Sequence, residues 1–182
     1  MKVIKTHFED VFVIEPQIWN DSRGYFYESY NEEKFKAHGL DYSFLQDNEA
    51  KSTRGVLRGL HYQMPPYAQT KLVRVTQGEV LDVIVDIRPE SKTFGKSFNI
   101  ILNSTNFKQL LVPRGFAHGY IVLSEEAVFA YKCDNLYNKN SEQGIKYNDE
   151  DLNIDWILKS EEFIVSEKDE ILPNFKNHIA FK

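Results

Sequence analysis

Val80-Leu81-Asp82-Val83-Ile84-Val85-Asp86-Ile87-Arg88 is the stretch that decides the class of fold. Leu81, Val83, Val85 and Ile87 fall on one side of an extended chain and Asp82 and Asp86 on the other, the period-two pattern of a strand. Gly78, after Lys71 to Gln77, reads as the turn of a hairpin leading into it. Working outward, further strands are expected at Phe8–Glu15, Tyr25–Tyr30, Ser43–Ala50, Val56–Gln63, Phe98–Leu102, Gln109–Val112, His118–Leu123 and Ala127–Asp134. Many short strands divided by turn signals indicate an all-β sandwich or barrel. One helix is expected between Asn31 and Gly39, with Asn31 as N-cap, Glu32 and Glu33 at the positive end of the dipole and Gly39 closing it. Little of it beyond Phe35 and Ala37 is apolar, so it should lie outside. From Asn148 to Lys182 the pattern is mixed, with Leu152, Ile154, Trp156 and Ile157 expected to pack a short helix or turn onto the barrel.

The chain of 182 residues suits one domain spanning 1–182, and no linker or repeat divides it. Hydrophobic residues make up 42% and charged residues 27%, enough apolar material for a real core. Thirteen Phe and ten Tyr favour strands and stacking surfaces. A net charge of −5 argues against nucleic acid as partner, while a small anionic ligand held by local arginines stays open. Cys133 is the only cysteine, so no internal disulfide forms, which suits a reducing compartment. Neither a signal peptide nor an apolar run of membrane-spanning length stands out, so a cytoplasmic protein without membrane contact is expected.

Two clusters could carry chemistry. Arg54-Gly55-Val56-Leu57-Arg58-Gly59-Leu60-His61-Tyr62-Gln63 sets two arginines and a histidine among glycines in a strand-like run. Strict alternation puts Arg58 and His61 on opposite faces, and both can serve one site only if Gly59 allows a bulge. A lone histidine is more often a satisfied structural residue than a catalyst. Leu111-Val112-Pro113-Arg114-Gly115-Phe116-Ala117-His118-Gly119-Tyr120 contains Pro-x-Gly-x-x-His, which resembles the second motif of the cupin barrels. In metal-binding cupins this histidine joins a His-x-His pair, but His61-Tyr62-Gln63 lacks the second histidine. The expectation is a cupin-like jelly-roll (double-stranded β-helix) barrel with short peripheral helices, with no metal and no cofactor.

A more specific resemblance covers about residues 8 to 173. Gln46-Asp47-Asn48, Gly55 to Gln63 and Lys71-Leu72-Val73 resemble the central block of the dTDP-4-dehydrorhamnose 3,5-epimerases. Asp21-Ser22-Arg23-Gly24-Tyr25-Phe26-Tyr27-Glu28 resembles that family's N-terminal motif. Gly115 to Tyr120, Tyr131-Lys132, Glu142-Gln143-Gly144-Ile145 and Ser166-Glu167-Lys168-Asp169 continue the match in order. The chain departs from the family at Ala50, often Ser; at Tyr147-Asn148-Asp149, often Trp-Asn-Asp; and at Trp156-Ile157, often Trp-Pro. None of these falls on a residue assigned to proton transfer.

The resemblance implies epimerisation at C3 and C5 of dTDP-4-dehydro-6-deoxy-D-glucose, giving dTDP-4-dehydro-L-rhamnose. A carbon acid beside a ketone needs a base on one face, stabilisation of the enolate, and an acid on the other face. By resemblance, His61 is the base, Asp169 orients it, Tyr131 is the opposed acid, and Lys71 supplies positive charge near the ketone or phosphates. Judged by spacing alone, Asp169 is a loop carboxylate and Tyr131 a core or rim aromatic. Arg23 and Arg58 suit the diphosphate, because guanidinium forks bind phosphate oxygens. Gln46, Asn48 and Glu28 suit the thymine and deoxyribose, with Tyr137 or Phe26 stacking on the base. His118 belongs near the sugar or holds His61, and Glu142 and Lys168 complete the expected substrate contacts. The family is dimeric with exchanged strands, so a homodimer is expected in which Arg23, Phe26 and Glu28 serve the neighbouring site. Alternative readings are an enzyme inverting C3 alone and a non-catalytic cupin-like sugar-binding module; the latter has no need of an opposed acid and base.

Overall fold

The computed structural model describes residues 1–181 and consists mainly of strands. In chain order these are β1 (Lys2–Lys5), β2 (Phe12–Glu15), β3 (Trp19–Asp21), β4 (Gly24–Phe26), β5 (Gln46–Thr53), β6 (Val56–Gln63), β7 (Lys71–Gln77), β8 (Glu79–Asp86), β9 (Ser97–Asn103), β10 (Gln109–Val112), β11 (Phe116–Val122), β12 (Glu126–Cys133), β13 (Glu142–Gly144) and β14 (Ile164–Val165). Two short helices accompany them, α1 (Glu32–Ala37) and α2 (Glu167–Glu170). One sheet runs β1-β2-β10-β7-β12-β5 and the other β13-β6-β11-β8-β9, with β14 beside β6 in parallel. Strands β3 and β4 form a separate hairpin. This is a β architecture of the sandwich or barrel kind expected from the strand pattern, and the cupin-like one that the Pro-x-Gly-x-x-His resemblance implied.

The chain builds three apolar layers. Between the sheets lie Val73, Val75, Val80, Ile84, Leu110, Phe116, Val122 and Phe129. On the outer face of the second sheet, Leu81, Val83, Val85 and Ile87 form one stripe, as their alternation requires, and the C-terminal segment covers it with Leu152 and Trp156. Each such side chain, fully buried, contributes about 1.5–3 kcal/mol. Trp156 also donates its indole N–H to the Tyr147 carbonyl at 2.9 Å. Residues 152–157 hold no helix, a turn ending at Leu152 being followed by irregular chain and a bend at Ile157, and Ile157 points outward at 53% exposure, against expectation. Its φ of 69° belongs to a tight turn that swings the side chain off the layer Trp156 fills.

Helix α1 starts where expected: the Asn31 side chain accepts from the Lys34 N–H at 3.1 Å. Only Phe35 on it is buried, packed with Leu40, Leu72 and Leu111 on the outer face of the first sheet. Gly78, however, is not a hairpin turn. Strand β7 pairs with β10 and β12, whereas β8 pairs with β11 and β9, so the chain passes from one sheet to the other at this residue. The left-handed φ of +75° and a Glu126 carbonyl 2.0 Å from where a Cβ would stand require glycine here. A turn signal marks a change of direction and says nothing of the layer the chain enters.

Strand bounds also shift. β8 ends at Asp86 because Arg88 folds back, donating its backbone N–H and guanidinium to the Asp86 carboxylate at 3.0, 2.9 and 2.8 Å. Asp10, with φ of 64°, interrupts the expected strand at Phe8, and the one expected at Tyr25–Tyr30 stops at Phe26. The strand expected at Ser43–Ala50 begins at Gln46 and runs on to Thr53.

Candidate active site

Arg58 and His61 are brought to one face by a bulge. On β11 their partners Tyr120 and His118 are two residues apart, so β6 holds one residue more than its neighbour. That residue is Gly59, with φ of +118°; a Cβ there would lie 2.7 Å from both the Gly119 Cα and the His118 carbonyl oxygen. Leu57, Leu60 and Tyr62 consequently pack in the outer layer, while Arg58 and His61 line a cavity of about 550 Å³ between the sheets.

His61 is held by the C-terminal segment. Ser166 caps α2, accepting from the Asp169 N–H at 3.2 Å, and this single turn points the Asp169 carboxylate at the bulge. Oδ1 of Asp169 lies 2.7 Å from His61 Nε2, and Oδ2 accepts from the Gly59 N–H at 3.1 Å. Burial would raise the Asp169 carboxyl, but the His61 hydrogen bond and charge, with the Gly59 N–H, hold it below the ordinary value. An ionised carboxylate only accepts, so Nε2 carries a proton, and in the neutral imidazole the lone pair lies on Nδ1. The residue that spacing alone would leave in a loop is 3% exposed.

Tyr131 faces this pair from β12 in the opposite sheet and lines the same cavity. Burial pushes its phenol up to about 12, so it stays protonated at neutral pH. Lys71, on the adjacent β7, sits with its ammonium 6.0 Å from the Tyr131 ring centroid. Loss of water lowers the Lys71 pKa, and Cys133, Asp82 and Glu142 only partly offset this. His118 also lines the cavity, but it gives its Nε2 to the buried Asp82 at 2.9 Å and does not hold His61. Among the described residues no group of three or more His, Cys, Asp or Glu is placed to hold a metal ion.

A side chamber of about 230 Å³ adjoins at His61, Lys71 and Tyr131, and Gln46, Asn48, Tyr137 and Glu142 line it. Gln46 donates to Asn48 at 3.1 Å, so their shared strand parity does bring them together. Glu142 accepts from Tyr137 at 2.9 Å and pairs with Lys168, itself a lining residue of the main cavity, at 2.6 Å. Arg23, Phe26 and Glu28 line neither space. Arg23 is bound to Asp21, Phe26 is 66% exposed, and Glu28 is held by Asn31 and Lys34. Tyr120, which lines the cavity, and Ser52 and Asp82, which hold Arg58 and His118, escaped the sequence reading. The strand parity of Tyr120 with His118, and of Ser52 with Asn48, was the available signal.

A cupin-like barrel with an imidazole and a phenol across one cavity defines a class, the carbon epimerases that move protons without breaking the carbon skeleton. Comparison narrows the class. Residues 5–177 match the family model described as dTDP-4-dehydrorhamnose 3,5-epimerase, and the chain belongs to that family. It is 51% identical to the dTDP-4-dehydrorhamnose 3,5-epimerase of Escherichia coli K12 over 184 residues, covering 100% of this chain and 98% of that one. The crystal structure of the enzyme named so from Elizabethkingia anophelis superposes with a TM-score of 0.93 at 54% identity, covering 97% of each chain. A 3,5-epimerase from Legionella pneumophila, solved in complex with dTDP-4-keto-L-rhamnose, gives a TM-score of 0.93 at 45% identity, covering 97% of this chain and 93% of that one.

Proposed function

We propose that His61 and Tyr131 are the two proton-transfer groups of this enzyme, working on opposite faces of one sugar. The reaction is the family's: inversion at C3 and C5 of dTDP-4-dehydro-6-deoxy-D-glucose to give dTDP-4-dehydro-L-rhamnose. The observation that carries the residue roles is the 2.7 Å contact of His61 with Asp169, inside a cavity whose far wall carries Tyr131. His61 Nδ1 takes the proton beside the C4 ketone, and Asp169 favours the imidazolium that results. The electron pair moves onto O4, where the Lys71 ammonium stabilises the enolate. Tyr131 returns a proton to carbon from the other face; the phenolate then regains a proton from solvent and the imidazolium gives one up to it, so both groups are reset. The same cycle at the second carbon completes the double inversion.

Arg58 at the cavity mouth suits the diphosphate, and the side chamber with Gln46, Asn48, Tyr137 and Glu142 suits the thymidine. Arg23, Phe26 and Glu28 line neither the reaction cavity nor the side chamber, and Trp19, Tyr25 and Phe26 stand exposed on the β3–β4 hairpin. A homodimer in which this hairpin and the segment after it meet the neighbouring subunit's site accounts for both facts. A cytoplasmic location accords with the free, buried Cys133 and a nucleotide-linked substrate. No helix of the described residues is long and apolar enough to cross a membrane.

The deciding experiment is solvent deuterium incorporation into the substrate, followed by proton NMR, with wild type and His61→Ala. Wild type labels C3 and C5, and folded His61→Ala loses at least about 10²–10⁴-fold in rate. Wild-type exchange in the variant would overturn the assignment.

A further inference from the structure

Among the described residues the reaction cavity has one apolar wall, made by Ala50, Val56, Phe129, Ile164 and Val165. Phe129 lies opposite Ala50 across β12 and β5, Ile164 opposite Val56 across β14 and β6, and Val56 packs on the cluster that contains Phe129. Ile164 is 54% exposed, so the wall offers apolar surface that its own chain leaves uncovered. The wall begins beside the reacting groups: the Phe129 ring centroid is 6.0 Å from that of Tyr131 and 6.1 Å from that of His118. Around it the lining is polar, with Arg58, His61, Lys71, Lys168 and Asp169, and every residue of the side chamber carries a polar side-chain group. The hydroxyls beside the wall are engaged or sealed. Ser52 accepts from Arg58, Ser166 caps α2, and the Tyr120 hydroxyl is buried. Ala50, one of the chain's departures from its family, has none to offer.

The sugar of the proposed reaction has a single carbon without oxygen, the C6 methyl. It is bonded to C5, which is inverted between His61 and Tyr131, so it lies about 1.5 Å from a reacting carbon and inside the same cavity. We propose that the wall of Ala50, Val56 and Ile164, backed by Phe129, holds this methyl and makes the enzyme selective for 6-deoxy sugars. Inversion at C5 swings the methyl across the ring, and an apolar wall follows that movement because its attraction has no direction. A 6-hydroxyl would be pressed against the same wall without a hydrogen-bond partner. Ala50, Val56 and Ile164 are thus specificity residues. Their assignment rests on the His61–Tyr131 reading and takes nothing from where the nucleotide lies.

The test uses two unreactive ligands that differ only at C6, dTDP-6-deoxy-D-glucose and dTDP-D-glucose, as competitors in the deuterium-exchange assay. Affinity for dTDP, which lacks the sugar, serves as the reference. Wild type should prefer the 6-deoxy ligand by about 10- to 100-fold, the discrimination an apolar site reaches against an added hydroxyl. Ile164→Thr, at an exposed position on which folding does not depend, should lower this ratio. The double variant Ala50→Ser, Ile164→Thr, which gives the wall two hydroxyls, should bring it within about threefold of one. If the double variant no longer binds dTDP, Ile164→Thr alone decides. A wild-type ratio near one, or a ratio that Ile164→Thr leaves unchanged, overturns the inference while the proton-transfer pair stands. Exchange surviving in His61→Ala overturns the site reading beneath it.

Discussion

Asp169→Asn tests the site with almost no change of shape. The carboxylate accepts two hydrogen bonds, from His61 Nε2 at 2.7 Å and the Gly59 N–H at 3.1 Å. An amide offers one acceptor and one donor, so it cannot satisfy both. If its oxygen stays on Gly59, its NH₂ faces Nε2 and forces the proton onto Nδ1, removing the lone pair that should act as base. If it flips, NH₂ meets the Gly59 N–H, donor against donor, in a buried bulge. The first outcome costs about 10²–10⁴ in rate through the wrong tautomer, and the second about 1–3 kcal/mol of stability. The assay is deuterium incorporation at C3 and C5, read beside thermal melts from pH 3 to 7. Because the Asp169 carboxyl is depressed, its stabilising contribution is complete above about pH 4 and fades as pH falls through the folded value. The stability gap between wild type and variant should therefore close on the acid side. Exchange within about threefold of wild type, with an unchanged melting temperature at pH 7, would refute the two-acceptor reasoning.

Lys71→Met should lower kcat by about a hundredfold or more while raising the melting temperature at pH 7. The lowered Lys71 pKa means the folded state disfavours the charged form, so this gain should shrink as pH rises through the folded value towards 10.5. A melting temperature below that of wild type would show the ammonium to be structurally paired. Tyr131→Phe should still exchange deuterium at one carbon, through His61 returning protons on its own side, yet fail to complete both inversions; full product at wild-type rate would remove Tyr131 from the mechanism. Arg58→Ala should weaken dTDP binding by about 10- to 100-fold, against no change for the exposed Lys92→Ala, in calorimetric titration. Equal affinities would place the diphosphate elsewhere.

Much of this was legible because period-two alternation survives burial: β6 and β10 were bounded correctly and β8 only overshot into its own Asp86 clamp. The bulge was legible too, since a histidine and an arginine of opposite parity flanked a glycine. What escaped depends on partners distant in the chain. Whether Gly78 turns within a sheet or between sheets is set by pairing with β10, β12, β11 and β9, which no local pattern records. Asp82 and Tyr120 look like a strand's polar punctuation and a core aromatic until β8 and β11 lie side by side. The short strands β1 and β3, largely exposed, carry no apolar alternation to detect. The resemblance rather than the local pattern pointed to Asp169, whose partners lie 108 and 110 positions away.

The extra residue at Gly59 acts on β6 as an inserted letter acts on a reading frame. Before it, even-numbered residues face the cavity, as Val56 and Arg58 do; after it, odd-numbered residues such as His61 take over. Removing Gly59 would leave composition and neighbours nearly intact yet transpose everything downstream to Gln63. His61 would turn into the greasy layer of Leu152 and Trp156, and Leu60 and Tyr62 would turn into the substrate's space. Chemistry here depends on a count: the three residues of β6 before the glycine and the four after it are read in different registers.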